Sequence, residues 1–315
     1  MQNTHRTLSF PENYSLGRLY VKDEYVDELL IGEAKGSVLV GFDAHVTLKA
    51  RTDIKLDLSP LSSLESDSLY SLSLANTQIT DEQLKHVAHL NKLRSLHLQH
   101  TNLKGWGFVH IKDFSYLRNL TFWWTGVTDK YFEYLSNLNS LEALNLSSTS
   151  ISDQALCHLQ NLPKLEDIDL WGTNAGDEGL RYLTAMPSLA VLGLANTRIT
   201  DSGLIHLRNS RLRSLNLRQT DITDTGLKTI GSLAYLEALD LTDTSITDIG
   251  LQFLSELKHL KRLSLRGTQV TDKSASGLST LTQVRDLDVS DTAITATGRD
   301  RLKALSTIQN LVCQG

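Results

Sequence analysis

The chain has 315 residues, with 31 Lys and Arg against 36 Asp and Glu and a formal net charge of -5. That balance gives no overall attraction to nucleic acid or to an anionic membrane surface. No stretch of about 18 consecutive apolar residues is present, so no membrane-spanning helix is expected.

The opening, MQNTHRTLSFPENYSLGRLY, lacks a basic start followed by an apolar run, which predicts a protein without an export signal, in the cytoplasm. Residues 1–66 read as short strands, RTLSF, LGRLYVK, ELLIGEAKGSVLV and HVTLKART leading into IKLDLSPL. Gly41-Phe42-Asp43-Ala44 has the composition of a hairpin connection, and Gly32 and Gly36 bracket another bend. The segment is expected to be a β-rich N-terminal cap that covers an apolar face and strand edge; a small separate β-domain is the competing reading.

From Leu69 onward one unit recurs, L-x-x-L-x-L-x-x-T-x-I-T-D-x-G-L-x-x-L-x-x-L-x-x, clearest in Leu236–His259. Its first position falls at Leu69, Leu93, Leu117, Leu141, Leu165, Leu189, Leu212, Leu236, Leu260, Val284 and Ile308. Every step is 24 residues except Leu189 to Leu212, which is 23 and loses one residue near Asn209 and Ser210. Such a period means a solenoid: residues 67–307 form ten units and 308–315 a partial eleventh. Cys157 and Cys313 fall more than six units apart, so no internal disulfide is expected.

Within each unit, positions 3 to 7 predict one short strand, with 4 and 6 inward and 3, 5 and 7 on a concave face. Position 9 is Thr in all ten units: Thr77, Thr101, Thr125, Thr149, Thr173, Thr197, Thr220, Thr244, Thr268 and Thr292. A hydroxyl there can donate to a carbonyl and accept from an amide where the chain leaves the sheet, so this ladder is structural. Thr-Asp at 12 and 13 reads as the start of a convex helix, either side chain capping its free amides. Leu at 16, 19 and 22 packs that helix on the sheet, and Gly at 15 is expected to let neighbouring helices approach.

The ITDxGLxxL pattern resembles the cysteine-containing class of leucine-rich repeats found in F-box ubiquitin-ligase receptors, and more closely bacterial proteins with Thr in place of Cys. The resemblance covers about residues 67–315 and implies an α/β solenoid, a horseshoe with a parallel concave β-sheet and convex helices. Nothing in residues 1–66 looks like an F-box, so only partner binding is carried over.

Departures from the repeat mark candidate sites. The second unit replaces Thr-Asp by Lys104-Gly105 and puts Trp106 and Phe108 where its helix should begin, predicting a displaced helix. Trp123 and Trp124 occupy positions 7 and 8 of the third unit and Trp171 position 7 of the fifth. Strands about 4.8 Å apart would set Trp123 and Trp171 roughly 10 Å apart across Ser147, a slot for one flat side chain. His97, Thr121, Asn145 and Asp169 at position 5 furnish a polar floor, with His100 a further binding candidate, while Arg218, Asp240 and Arg266 belong to an alternating Arg/Asp half that pairs internally or selects a charged partner. No catalytic motif, metal-ligand spacing or cofactor loop appears. The expectation is a non-enzymatic module binding a protein on its concave face, without cofactor, metal, nucleic acid or membrane. The alternatives are a sensor taking a small planar ligand in the tryptophan slot, and a scaffold held through the cap and the C-terminal edge; that edge is either open to self-association or capped by the last few residues.

Overall fold

A computed structural model describes residues 4–22 and 28–314 and divides the chain into two compact units: residues 1–150 with 161–165, and residues 151–160 with 166–315. Residues 1–3 and 23–27 of the expected cap, and Gly315 of the partial eleventh repeat, lie outside the described residues.

The first unit begins with β1 (His5–Ser9), β2 (Gly17–Lys22), β3 (Leu29–Glu33), β4 (Ser37–Gly41) and β5 (His45–Ala50). Three-residue strands follow: β6 (Ser71–Ser73), β7 (Ser95–His97), β8 (Asn119–Thr121) and β9 (Ala143–Asn145). Strands β5 to β9 pair in parallel, β2 runs antiparallel between β5 and β3, and β1 pairs antiparallel with β4. Thr47 faces Ser71, so β5 already keeps the 24-residue step of the repeats.

Two expectations for this region fail. The hairpin at Gly41–Ala44 does not form: β4 pairs with β1 and β5 with β2, and the turn instead carries the chain from one sheet to another. Alternating burial of Val40, Val46 and Leu48 is the same for a hairpin and for a chain that changes sheets. IKLDLSPL forms no strand; Leu56 and Leu58 are buried, but Pro60, which has no N–H, opens a 3₁₀ turn at Ser59–Ser63.

The second unit contains β10 (Asp167–Asp169), β11 (Val191–Gly193), β12 (Ser214–Asn216), β13 (Ala238–Asp240), β14 (Arg262–Ser264), β15 (Asp286–Asp288) and β16 (Asn310–Val312). All pair in parallel, aligning Ile168, Leu192, Leu215, Leu239, Leu263, Leu287 and Leu311. The expected helices are short and of two kinds. The first unit has 3₁₀ turns at Asp81–Val87, Trp106–His110 and Asp129–Leu135. The second has α1 (Asp153–Leu156), α2 (Asp177–Leu183), α3 (Asp201–Leu204), α4 (Asp224–Ile230), α5 (Ser274–Leu278) and α6 (Ala296–Lys303), with 3₁₀ turns at Ile205–Leu207 and Gly250–Glu256. A 24-residue unit has only about a dozen residues for the return path, which suits tight, slender turns better than full helices.

All ten repeat threonines donate to the carbonyl at position 6, from Thr77 to Leu74 at 2.6 Å through Thr292 to Val289 at 2.6 Å. Thr173 and Thr292 also accept an amide. At position 12 the hydroxyl caps its own helix, as Thr223 does for Thr225 N–H. Contrary to expectation, the adjacent Asp reaches the next repeat instead. Asp201 accepts from Thr223 N–H at 2.9 Å and from its hydroxyl at 2.6 Å, and Asp177, Asp224, Asp248 and Asp272 do the same for Thr200, Thr247, Thr271 and Thr295. Where Lys104-Gly105 replaces Thr-Asp, the buried Asp81 carboxylate accepts three amides, of Lys104, Gly105 and Gly107. The turn there begins at Trp106, position 14, within the spread of positions 13 to 15 at which the other units open theirs, so the expected displacement is not seen.

This joint explains the position-15 glycines. A Cβ on Gly179, Gly203, Gly226, Gly250 or Gly298 would stand 2.1 to 2.6 Å from Oδ1 of the preceding repeat's Asp. The glycine makes room for a carboxylate as much as for a helix.

Gly226→Ala is therefore expected to destabilise the protein by about 1–3 kcal/mol, although alanine is the better helix former by about 1 kcal/mol. Urea unfolding measures this, and unchanged stability would remove the steric account. Asp272 is held below the usual carboxylate range by the hydroxyl and then the amide of Thr295. Its folded pKa lies below the unfolded one, so its contribution is full above about pH 4–5 and is lost as pH falls through the folded value. Melting curves between about pH 5 and 2.5 should fall less steeply for Asp272→Asn than for the wild type.

Candidate functional site

With Leu at positions 4 and 6 buried, side chains at 3, 5 and 7 stand on the open face of the sheet, opposite the turn layer. Position 8 then takes the left-handed conformation throughout: φ is 58° at Asn76, 54° at His100, 55° at Trp124, 53° at Ser148 and 51 to 67° from Gly172 to Asp291. Asn, Asp and Gly tolerate this; a bulky aromatic does not, at about 1–2 kcal/mol. Trp124 thus occupies a position whose backbone disfavours it and leaves its ring 58% exposed. This was readable in the sequence, where position 8 is otherwise mostly Asn, Asp, Gly or Ser.

In the first unit the structure brings Trp123, Trp124 and His100 together. The His100 ring stacks on Trp124 at 5.8 Å and meets Trp123 edge-on at 4.6 Å. His97 stands on the same face; burial, then the Lys49 charge, lowers its pKa, so it is neutral near pH 7. Asn145 accepts the Ser147 amide at 3.0 Å, which ties one side of its amide group to its own backbone. Sequence reasoning missed Gln99. Its Oε1 and the Oγ of Ser147 are buried without a hydrogen-bond partner.

Trp123 and Trp171 belong to different units. In the second unit Trp171 is 38% exposed and its amide donates to Asp169 Oδ1 at 3.0 Å. Burial, followed by the charge of Asp169, raises the pKa of Asp167. Arg218 pairs with Asp243 at 3.8 Å and Arg266 with Asp291 at 2.8 Å, each position-7 Arg meeting the position-8 Asp of the next repeat. Exposed pairs of this kind are worth about 0–1 kcal/mol. Asp240 accepts both the amide and the hydroxyl of Thr242. It lines a groove of about 450 Å³ with Asn216, Arg262, Ser264 and Asp288.

Among the described residues no group of three or more His, Cys, Asp or Glu is placed to hold a metal ion, and no helix is long and apolar enough to cross a membrane. Trp124→Asn is expected to keep or raise the unfolding midpoint, by up to about 1 kcal/mol, because Asn accepts the left-handed backbone. A fall of more than about 1 kcal/mol in thermal unfolding would instead make the indole a structural support.

A family profile described as leucine rich repeat matches residues 210–270 and 234–294. A comparison with curated protein sequences finds no significant match. Among solved structures, an internalin (inlF) from Listeria monocytogenes is similar at 25% identity and TM-score 0.63, covering 81% of this chain and 76% of that one. The mouse RP105/MD-1 complex is similar at 21% identity and TM-score 0.63, covering 84% of this chain and 45% of that one. The plant peptide hormone receptor RGFR1 with RGF2 gives 16% identity and TM-score 0.51, covering 86% of this chain and 51% of that one. The 24-residue step, the in-register parallel strands, the profile matches and the internalin likeness agree: the chain has the leucine-rich repeat fold.

Proposed function

We propose that the protein is a non-catalytic recognition module that takes a protein partner on the concave, open face of its sheet. Trp123, Trp124 and Trp171 are the anchors, with His97, His100, Asn145 and Asp169 around them and Arg218, Asp240 and Arg266 supplying selectivity. The observation that carries this reading is Trp124: an indole held exposed in a backbone conformation that disfavours it persists for what the ring does outside the fold. Large, rigid aromatics bury much area at little entropic cost, which is why they dominate binding hot spots. The mouse and plant neighbours are named as complexes with MD-1 and RGF2, and the reading extends that use of the fold to this chain.

The test is affinity capture from native lysate with wild type and a folded Trp123→Ala/Trp171→Ala double variant. Loss of each hot-spot ring costs about 2 kcal/mol or more, so recovery of the partner should fall at least tenfold. Full recovery with the double variant would move the interface elsewhere.

A further inference from the structure

In-register parallel pairing in the second unit sorts its loops onto two rims: loops that enter a strand lie along one edge of the sheet, and loops that leave one lie along the other. The two rims differ in charge. The six loops that enter β11 to β16, residues 184–190, 208–213, 231–237, 255–261, 279–285 and 303–309, carry seven Lys or Arg against two Asp or Glu, a surplus of five cations. The segments that leave β10 to β15, residues 171–177, 195–201, 218–224, 242–248, 266–272 and 290–296, carry three against eight, a surplus of five anions. On the exit rim the acids are employed, since Asp177, Asp201, Asp224, Asp248 and Asp272 hold the next repeat. On the entry rim most cations are not. Lys261 pairs with Glu237 at 2.6 Å and Lys258 donates to the Ser255 carbonyl, whereas Arg208, Arg211, Arg213, Arg285 and Lys303 form no ion pair among the described residues.

The free cations concentrate at the short repeat. Ser210 N–H donates to the Leu207 carbonyl at 2.9 Å, as Leu233 N–H does to Ile230 and Leu257 N–H to Leu254, so Ser210 stands where these repeats bury a leucine. The chain then enters β12 one residue early, and R-N-S-R-L-R places Arg208, Arg211 and Arg213 within six residues. Leu212 is buried, while Arg211 and Arg213 on either side of it are exposed. These two arginines line a recess of about 400 Å³ with Pro187, Tyr235 and Glu166. Neither forms an ion pair with Glu166. The other nearby carboxylate, Glu237, is held below its usual range by the hydrogen bond and charge of Lys261, with Arg213 a lesser influence.

We propose that this entry rim docks an acidic peptide segment, a run of Asp and Glu on a protein partner, with Arg211 and Arg213 at its centre. Guanidinium forks take carboxylates in pairs of parallel hydrogen bonds, and clustered arginines read acidic motifs in this way. A surplus of cations set along a rim one loop deep matches a linear anion in sign and in shape. Nucleic acid binds in proportion to the phosphates neutralised, and three arginines in one loop offer few. A membrane surface calls for apolar side chains that enter it, and Tyr235 is the one large apolar side chain these six loops expose. The exit rim of a second copy is a poor match, because its aspartates are committed to the joints between repeats. The entry rim is separate from the open face and adds a second contact to it.

The experiment is fluorescence anisotropy of a labelled octaglutamate peptide titrated with the full chain, beside octalysine, an oligouridylate of equal length and vesicles containing phosphatidylserine. Octaglutamate should bind in about 50 mM NaCl and bind about tenfold or more weakly in about 500 mM, because exposed contacts are screened. Arg211→Glu/Arg213→Glu removes two ion pairs and adds two like charges, so it should weaken binding about tenfold or more. Arg198→Glu/Lys273→Glu makes the same charge change on the exit side and should stay within about threefold of wild type. Should the glutamate pair lack a native circular dichroism spectrum, Arg211→Gln/Arg213→Gln carries the test, with an expected loss of about threefold or more. The proposal falls if octaglutamate does not bind at the lower salt, binds no better than octalysine, ignores the arginine pair, or is lost equally in the Arg198/Lys273 pair. Tighter binding of the oligouridylate or the vesicles through the same arginines would overturn it in favour of a nucleic acid or a membrane surface.

Discussion

A strand of only three residues abandons its ladder almost as soon as it joins it, and the backbone groups at each exit must be satisfied by something other than the sheet. Two side chains answer that constraint. The position-9 threonine returns its hydroxyl to the carbonyl at position 6, and the position-13 aspartate holds the amide and hydroxyl opening the next repeat's turn. Apolar residues at positions 1, 4, 6, 11, 16, 19 and 22 supply the buried core, but leucine is indifferent to register. The hydrogen-bonded joints decide which repeat sits where, and the glycine at 15 is present because the joint needs the space.

The same accounting limits what the open face can offer a ligand. Asn145, Asp169, Asn216, Asp240 and Asp288 at position 5 each accept an amide two residues on, so part of each group serves its own backbone. Arg218 and Arg266 lean on aspartates of the following repeat. The side chains with least structural employment are the rings of Trp123 and Trp124 and the neighbours left without partners, Gln99 and Ser147. Selection by a partner acts most directly on these.

Much of the fold was legible because it is periodic. Leucine spacing located every strand after Leu69, including the 23-residue step, and the ten threonines announced their ladder. What was hidden is non-periodic or non-local. The alternation in residues 37–48 cannot tell a hairpin from a chain changing sheets, since both bury the same residues. The aspartate looked like a cap for its own helix because sequence shows only the near neighbours; its true partners lie 22 or 23 residues away. The strain at Trp124 was legible in the residues sharing its position, whereas the unpaired atoms of Gln99 and Ser147 depend on packing around them.

The aspartate joint gives the array a polarity. From Asp177 to Thr295 each repeat presents a carboxylate forward to the amide and hydroxyl of the next, so these repeats fit head to tail and not head to head. The missing residue before Leu212 shows how much slack the coupling has: the link from Asp201 to Thr223 spans 22 residues where its neighbours span 23, with the same two bonds. Length can therefore drift in the stretch between helix and strand, while duplication or loss of whole repeats keeps every coupling mated. A protein assembled this way can lengthen its reading surface by copying without redesigning a single junction.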